Sequence, residues 1–151
     1  MKVLSLMQPW ATLVAIGAKN IETRSWGTTH LGALAIHASK TFPKGGKKAF
    51  DELCGTEPFK SVLTMHTEEM TASGHLSKLA DYIMPRGAII AICNLVECVK
   101  ITDGFLMEEP ERSFGNFTPG RFAWFLKDIS MLNDPIRVRG SLGIWHWSGK
   151  P

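Results

Sequence analysis

Apolar positions in this chain fall into short, β-branched runs separated by polar and glycine-rich stretches, a spacing that predicts several short strands and a few helices. Lys2 to Leu6 predicts a first strand. Pro9 suits a helix start, where its missing N–H costs nothing, and Trp10 to Ile16 continues as a short apolar helix with Gly17 as its C-terminal cap. Lys19 to Trp26 predicts a second strand, and Leu31 to Ala38 a third, apolar enough to be buried on both faces. Ala88 to Val99 is the strongest strand signal, long and almost uncharged, with Glu97 as its one acid. Phe122 to Leu126 with Ile129 to Leu132 predicts a further strand or strand pair. Pro135 to Gly140 predicts a short edge segment with Arg137 and Arg139 on one face, and Gly143 to Trp147 a closing strand.

The middle of the chain has a different period. Lys47 to Cys54 and Pro58 to His66 predict helices. A third, within Thr71 to Met84, rests on Leu76, Leu79, Ala80 and Ile83 at helical spacing, and Pro85-Arg86-Gly87 stops it. Ser39 to Gly46 predicts a turn-rich link. Lys44, Lys47 and Lys48 cluster beside it, as a solvated loop or a phosphate-contacting one. Gly104 to Gly120 predicts a polar loop or partly ordered flap, with Glu108, Glu109 and Glu111 as a solvated face that would repel a phosphate backbone.

Five or six strands with helices inserted near the N-terminus and mid-chain predict an α+β, mainly β fold: a small closed or half-closed β-barrel, closure removing exposed sheet edges. The 151 residues suit one domain spanning 1–151, with no internal repeat and no linker that splits it. Composition changes this picture little: 44% hydrophobic and 21% charged residues are ordinary for a folded protein. A net charge of +3 permits nucleic-acid or nucleotide binding without requiring it. Cys54, Cys93 and Cys98 form no CxxC pair, which argues against a disulfide scaffold or thiolate zinc site. The absence of an apolar run of about 18 residues and of a signal-peptide pattern leads to the expectation of a cytoplasmic protein away from membranes. His30, His37, His66, His75 and His146 show no HxH or HExxH spacing, so no preformed metal site is expected. A divalent ion bridging carboxylate and phosphate stays open.

Candidate chemistry concentrates in Gly17-Ala18-Lys19-Asn20-Ile21-Glu22-Thr23-Arg24-Ser25-Trp26. On a strand, Glu22, Arg24 and Trp26 share one face, with Lys19 at its entrance. Such a face suits a flat, polar ligand, neutral or anionic. Lys19 would stabilise an anion or oxyanion, Glu22 would accept from a base amine or act as general base, and Arg24 would fork onto phosphate or ribose, or brace Glu22. An ordinary surface ion pair is the plainer reading. Of five tryptophans, Trp26, then Trp10, then Trp145 are the candidates for a stacking wall, against core packing for each. Ser5 and Gln8 precede Trp10; Gln8 would read a base edge or cap a turn. His37, in an apolar strand, is expected to be a hydrogen-bonded core histidine.

These residues carry a family resemblance. Gly17, Lys19, Glu22 and Arg24 match every fixed position of the signature glycine, any, lysine, any, any, glutamate, any, arginine of the ASCH family, within the PUA-like β-barrel superfamily. Ser5-Leu6-Met7-Gln8-Pro9-Trp10-Ala11 resembles that family's N-terminal segment. Gly32 with Ile36-His37-Ala38 resembles its next strand, and Gly120 to Trp124 with Pro135, Ile136, Gly140 and Gly143 to Trp145 its C-terminal portion. The resemblance covers both ends and leaves the helical middle poorly matched. It implies a PUA-like barrel whose cleft is lined by the signature and which binds RNA or a nucleotide. Some small members are similar to amidohydrolases acting on N4-acetylcytidine, and others resemble metal-dependent ribonucleases. In the amidohydrolase-like members the signature lysine, a threonine three positions later and a glutamate on a later strand are catalytic. Lys19 matches that lysine. The threonine's place is taken by Glu22, while Thr23 points to the other face of a strand. Glu97 is the candidate for the later acid.

Three functions follow as expectations: binding of RNA or a modified nucleoside or nucleotide through Ser5, Gln8, Trp10, Arg24, Trp26 and Trp145; hydrolysis of an acylated pyrimidine amide or of RNA by Lys19, Glu22 and Glu97, with a divalent metal needed only for the nuclease; or a protein-interaction module with tryptophan-rich ends.

Overall fold

The computed structural model describes residues 1–72 and 84–149. In chain order they form β1 (Lys2–Leu6), α1 (Trp10–Ala15), β2 (Ile21–Arg24), β3 (Gly32–Ala38), α2 (Gly46–Cys54), α3 (Phe59–Ala72), β4 (Ala88–Lys100), α4 (Glu111–Phe114), β5 (Phe122–Arg137) and β6 (Ile144–His146). The strands make one six-stranded sheet in the order β2-β5-β4-β3-β1-β6. β1 and β3 are parallel and every other pair is antiparallel.

Why β3 and β4 are apolar without alternation is visible in the packing. One face of the sheet holds Leu4, Leu34, Ile36, Ile90, Leu95, Trp124 and Leu126 around Ala11 and Val14 of α1. The opposite face buries Val3, Ala35 and Ile89 under Trp145, Trp147 and Val138. Two-sided burial removes the period-2 signal. Cys93 belongs to this interior, and burial pushes its thiol up to about 12.

The sheet curls because its longest pair is repeatedly offset. β4 and β5 slip register between Ile89 and Ala91, Ile92 and Asn94, and Leu95 and Glu97, and Asp128 adopts φ 52°. Each bulge bends the strand and increases its twist. β5 runs unbroken for 16 residues where the sequence suggests a strand or strand pair and a separate edge segment. Asp128 and the bulges supply the bend in place of a loop, and Pro135 to Arg137 belong to the strand. The result is a half-closed barrel. Among the described residues no backbone pairing joins the outer strands β2 and β6. Trp26 and Ile144 pack over the core at that seam, and Arg24 Nη2 donates to the Ser5 carbonyl at 2.9 Å.

Other sequence expectations need adjustment. The second strand is only Ile21–Arg24, so Trp26 lies beyond it in a bend. Lys47 and Lys48 sit on α2, as the helix predicted over Lys47 to Cys54 requires and against the loop reading of the lysine cluster, and pair with Asp51 at 2.5 Å and Glu52 at 3.8 Å, one turn on. α3 extends past His66 to Ala72. The helix expected within Thr71 to Met84 falls mainly on residues outside those described. Gln8 is spent on α1: its Oε1 accepts from the Thr12 N–H at 3.0 Å, and its Nε2 donates to the Pro85 carbonyl at 2.8 Å.

Trp124 is fully buried at the centre of the curl, whereas Leu142 is 99% exposed. Trp124→Ala is expected to cost about 3–5 kcal/mol in urea unfolding and Leu142→Ala less than about 0.5 kcal/mol. Equal losses would contradict this core.

Candidate functional site

The signature builds a wall from behind. Lys19 follows the end of α1, where its N–H bonds the Leu13 carbonyl at 2.9 Å. Its side chain is 1% exposed. Nζ donates to the Ile21 carbonyl and lies 3.7 Å from Glu22 Oε2 and 3.8 Å from Glu111 Oε1. Burial pushes the Lys19 pKa down, and Glu22 and Glu111 oppose that shift. Glu22, 8% exposed, stands with its other oxygen 3.0 Å from Arg24 Nε. That N–H points off the line to the oxygen, so the contact is an ion pair without a hydrogen bond. Glu111 is the acid that the sequence reading left in solvent. Its carboxylate accepts from the Asn20 and Ile21 N–H groups at 2.7 and 3.1 Å.

In front of the wall is a cup of about 520 Å³ lined by Trp10, Glu22, Arg24, Trp26, Arg121 and Asn116, among others. Trp26 is half-buried and meets Trp124 perpendicularly at 4.8 Å. Trp10 is half-buried against Phe59 at 6.3 Å. Arg121 donates to the Asn116 and Thr23 carbonyls, and Thr23 Oγ1 accepts the Asn116 N–H at 2.9 Å. Loop 115–121 is thereby tied to β2.

Ser5 ends the cup on the β1 side. His37 Nε2 lies 3.1 Å from the Val138 carbonyl, which can only accept, so Nε2 carries the proton. Nδ1 is then an acceptor, and Ser5 Oγ donates to it at 3.1 Å. Trp145 Nε1 donates to the same hydroxyl at 3.1 Å. The Ser5 oxygen keeps one lone pair, so toward the cup it acts as a hydrogen-bond acceptor. Burial pushes the His37 pKa down, against the Val138 hydrogen bond, which favours this neutral form.

The structure thus brings Glu22, Arg24, Trp10, Trp26 and Ser5 to one hollow. Lys19 stands behind them, sealed from the cup. Gln8 is 1% exposed, with both ends of its amide engaged, and is not on the cup wall. Trp145 acts through Ser5 and packs on His37 at 5.7 Å. Glu97 is exposed on β4 opposite Phe125, away from Lys19's carboxylates, because the bulge before it displaces the strand register. Sequence reasoning missed Glu111, Arg121 and the Ser5–His37 pair. The available signal for Glu111 was Phe114, an aromatic in a polar loop. It is 1% exposed, packs on Phe59 at 5.0 Å and pins α4 in place.

Among the described residues no group of three or more His, Cys, Asp or Glu is placed to hold a metal ion. The position between Glu22 and Glu111 that a divalent ion would take already holds the Lys19 ammonium. The Glu22–Glu111 pair therefore does not fit a resident metal. No helix among the described residues is long and apolar enough to cross a membrane.

Comparison with known proteins gives a family match over most of the chain. The ASCH domain model matches residues 4–136. Activating signal cointegrator 1 of Homo sapiens is 27% identical over 147 residues, 97% of this chain and 22% of the relative. Its Mus musculus counterpart is 24% identical over the same shares. The chain spans 22% of the length of these curated relatives. Among solved structures, ASCH from Zymomonas mobilis is similar at 18% identity and TM-score 0.45, covering 90% of this chain and 72% of that one.

Two outcomes check this site. Glu111→Ala leaves two backbone donors and one buried ammonium under-partnered, and is expected to destabilise by about 2–4 kcal/mol in chemical unfolding. A loss below about 0.5 kcal/mol would place Glu111 in solvent after all. His37 and His66 both have folded pKa values lowered from 6.5 by burial. The unfolded chain binds more protons in that window, so stability falls as pH drops below 6.5 through the folded values. Part of this slope is expected to vanish in His37→Gln, measured as the shift of the urea midpoint between neutral and mildly acidic pH. An unchanged slope would show that His37 contributes none of it.

Proposed function

The chain belongs to the ASCH family, and from that premise we propose that it binds RNA or a single nucleotide, taking a base into the cup in front of the signature wall. The observation that carries this reading is the cup's composition: two half-buried indoles, two guanidinium groups and a nearly buried carboxylate around about 520 Å³. That volume lies within the usual range of small-molecule sites. Indole faces stack any base and are sequence-tolerant, with about 1–3 kcal/mol per stacked base. Glu22 and the Ser5 lone pair accept hydrogen bonds, so a base edge carrying an amino group suits this side of the hollow. Arg24 and Arg121 offer donors to ribose or phosphate oxygens.

A hydrolytic role has one observation in its favour, the lowered pKa of Lys19. The same burial keeps Nζ behind Glu22 and away from a bound amide or phosphate. Binding is therefore the better-supported reading, and Lys19 in it positions Glu22.

Titration with cytidine-type nucleosides and single-stranded RNA at low salt is expected to change tryptophan fluorescence, with Trp26→Leu weakening binding by about 1–3 kcal/mol. No response to any of these ligands would reject the proposal. Mass spectrometry of N4-acetylcytidine incubated with the protein decides the hydrolytic alternative: unchanged substrate supports binding alone, and a deacetylated product that disappears in Lys19→Met would reinstate catalysis.

A further inference from the structure

A second cavity, of about 680 Å³, adjoins the cup. The two share Ser5, Ser39, Thr41 and Leu142 in their walls, so they are neighbours at the end of β1. Their electrostatics differ. The cup sets Arg24 and Arg121 against Glu22. The second cavity is lined by Lys40, Arg137 and Arg139 and by no carboxylate. Among the described residues no salt bridge engages Lys40 or Arg139. Three side-chain hydroxyls, of Ser39, Thr41 and Ser141, join the cations.

This trough is built rather than incidental. Lys40 is laid across Gly87, whose φ is +69°, and a Cβ there would come within 2.4 Å of Lys40 Cε. Arg137 Nη1 is anchored to the Arg86 carbonyl at 2.7 Å. The segment carrying Arg139 lies directly on the Ser5–His37 pair. A Cβ on Gly140 would stand 2.3 Å from His37 Cε1 and 2.9 Å from Ser5 Oγ, and Val138 accepts the His37 proton. The segment carrying Arg139 is thus held by the histidine that also orients Ser5 in the cup.

We propose that the trough is a phosphate subsite for the nucleotide whose base occupies the cup, with Ser5 between base and phosphate. The inference rests on the base-binding reading of the cup. A cluster of cations and hydroxyls without a carboxylate in its lining recognises phosphate oxygens, and the wall it shares with the cup fits a nucleoside joined to its phosphate. The phosphate belongs either to a mononucleotide or to the next link of a strand.

The test uses the full chain, the double variant Lys40→Gln/Arg139→Gln, and the cup variants Trp10→Leu and Trp26→Leu. Both trough residues are exposed, so the double variant leaves the core intact. The probes are cytidine, its 5′- and 3′-monophosphates, and an eight-nucleotide single-stranded RNA, each titrated over a salt series. The wild type is expected to bind the monophosphates or the RNA more tightly than cytidine. Tighter binding of a monophosphate assigns the trough to the terminal phosphate, and a gain confined to the RNA assigns it to the strand. The double variant is expected to bind cytidine as before and the RNA roughly tenfold more weakly, with a salt slope smaller by about 1.4, or about 0.7 per lost contact on a single strand. If the double variant keeps both the RNA affinity and the salt slope of the wild type while the cup variants lose binding, the trough is overturned and the cup stands. If RNA binding falls in the double variant and is untouched in both cup variants, the phosphate site stands and the base cup falls. No binding of any probe by the wild type overturns both.

Discussion

One buried ammonium holds the candidate site together. Taking Lys19 out of water is costly, and a lone charge there would not be tolerated. It is offset by the Ile21 carbonyl and by two carboxylates that come from different parts of the chain, Glu22 on β2 and Glu111 on α4. The lysine's own N–H returns to Leu13 in α1. Two elements, β2 and α4, therefore meet at a single charge, and neither can shift without leaving part of that charge unpaired. Burying an ion cluster seldom adds net stability over an apolar packing. Its consequence here is placement: Glu22 is held from behind by Lys19 and flanked by Arg24, so its position in the cup does not depend on a ligand.

Much of the fold was legible because it depends on local apolar pattern. The runs at Leu31 to Ala38 and Ala88 to Val99 are strands, buried on both faces over 34–38 and 88–91, and Pro9 and Gly17 bracket α1. The continuity of β5 was not legible. Asp128 and Pro135 look like breaks in one dimension, and they become a bulge and a strand end only when β4 lies alongside. In the site, the signature gave Glu22 and Arg24 correctly as neighbours, since period-2 spacing is local. Glu111 meets Asn20 across 91 residues of sequence, and nothing in an acidic run announces a distant pair of N–H groups. Gln8 and Trp145 have the residue types of ligand contacts, yet their polar atoms are consumed by Thr12, Pro85 and Ser5. Residue type alone does not tell which partner a donor has already found.

Arg24 shows how the open barrel and the site constrain each other. β6 pairs with β1 only as far as Leu4, so the Ser5 carbonyl lies just past the end of that pairing. Arg24 reaches across the seam to fill that gap with Nη2, while its Nε is drawn beside Glu22. A flexible arginine pays in side-chain entropy when it grips a ligand. This one has already been ordered by a backbone bond that the barrel itself requires. The unclosed edge of the sheet thus becomes the means of fixing the guanidinium, and Ser5, whose carbonyl receives it, presents its hydroxyl at the junction of the cup and the cationic trough. A fully closed barrel would satisfy that carbonyl with a strand and leave Arg24 free to move. The half-closed form gives a preorganised wall, and preorganisation, more than the number of polar groups, decides how much of a ligand's contact energy survives as affinity.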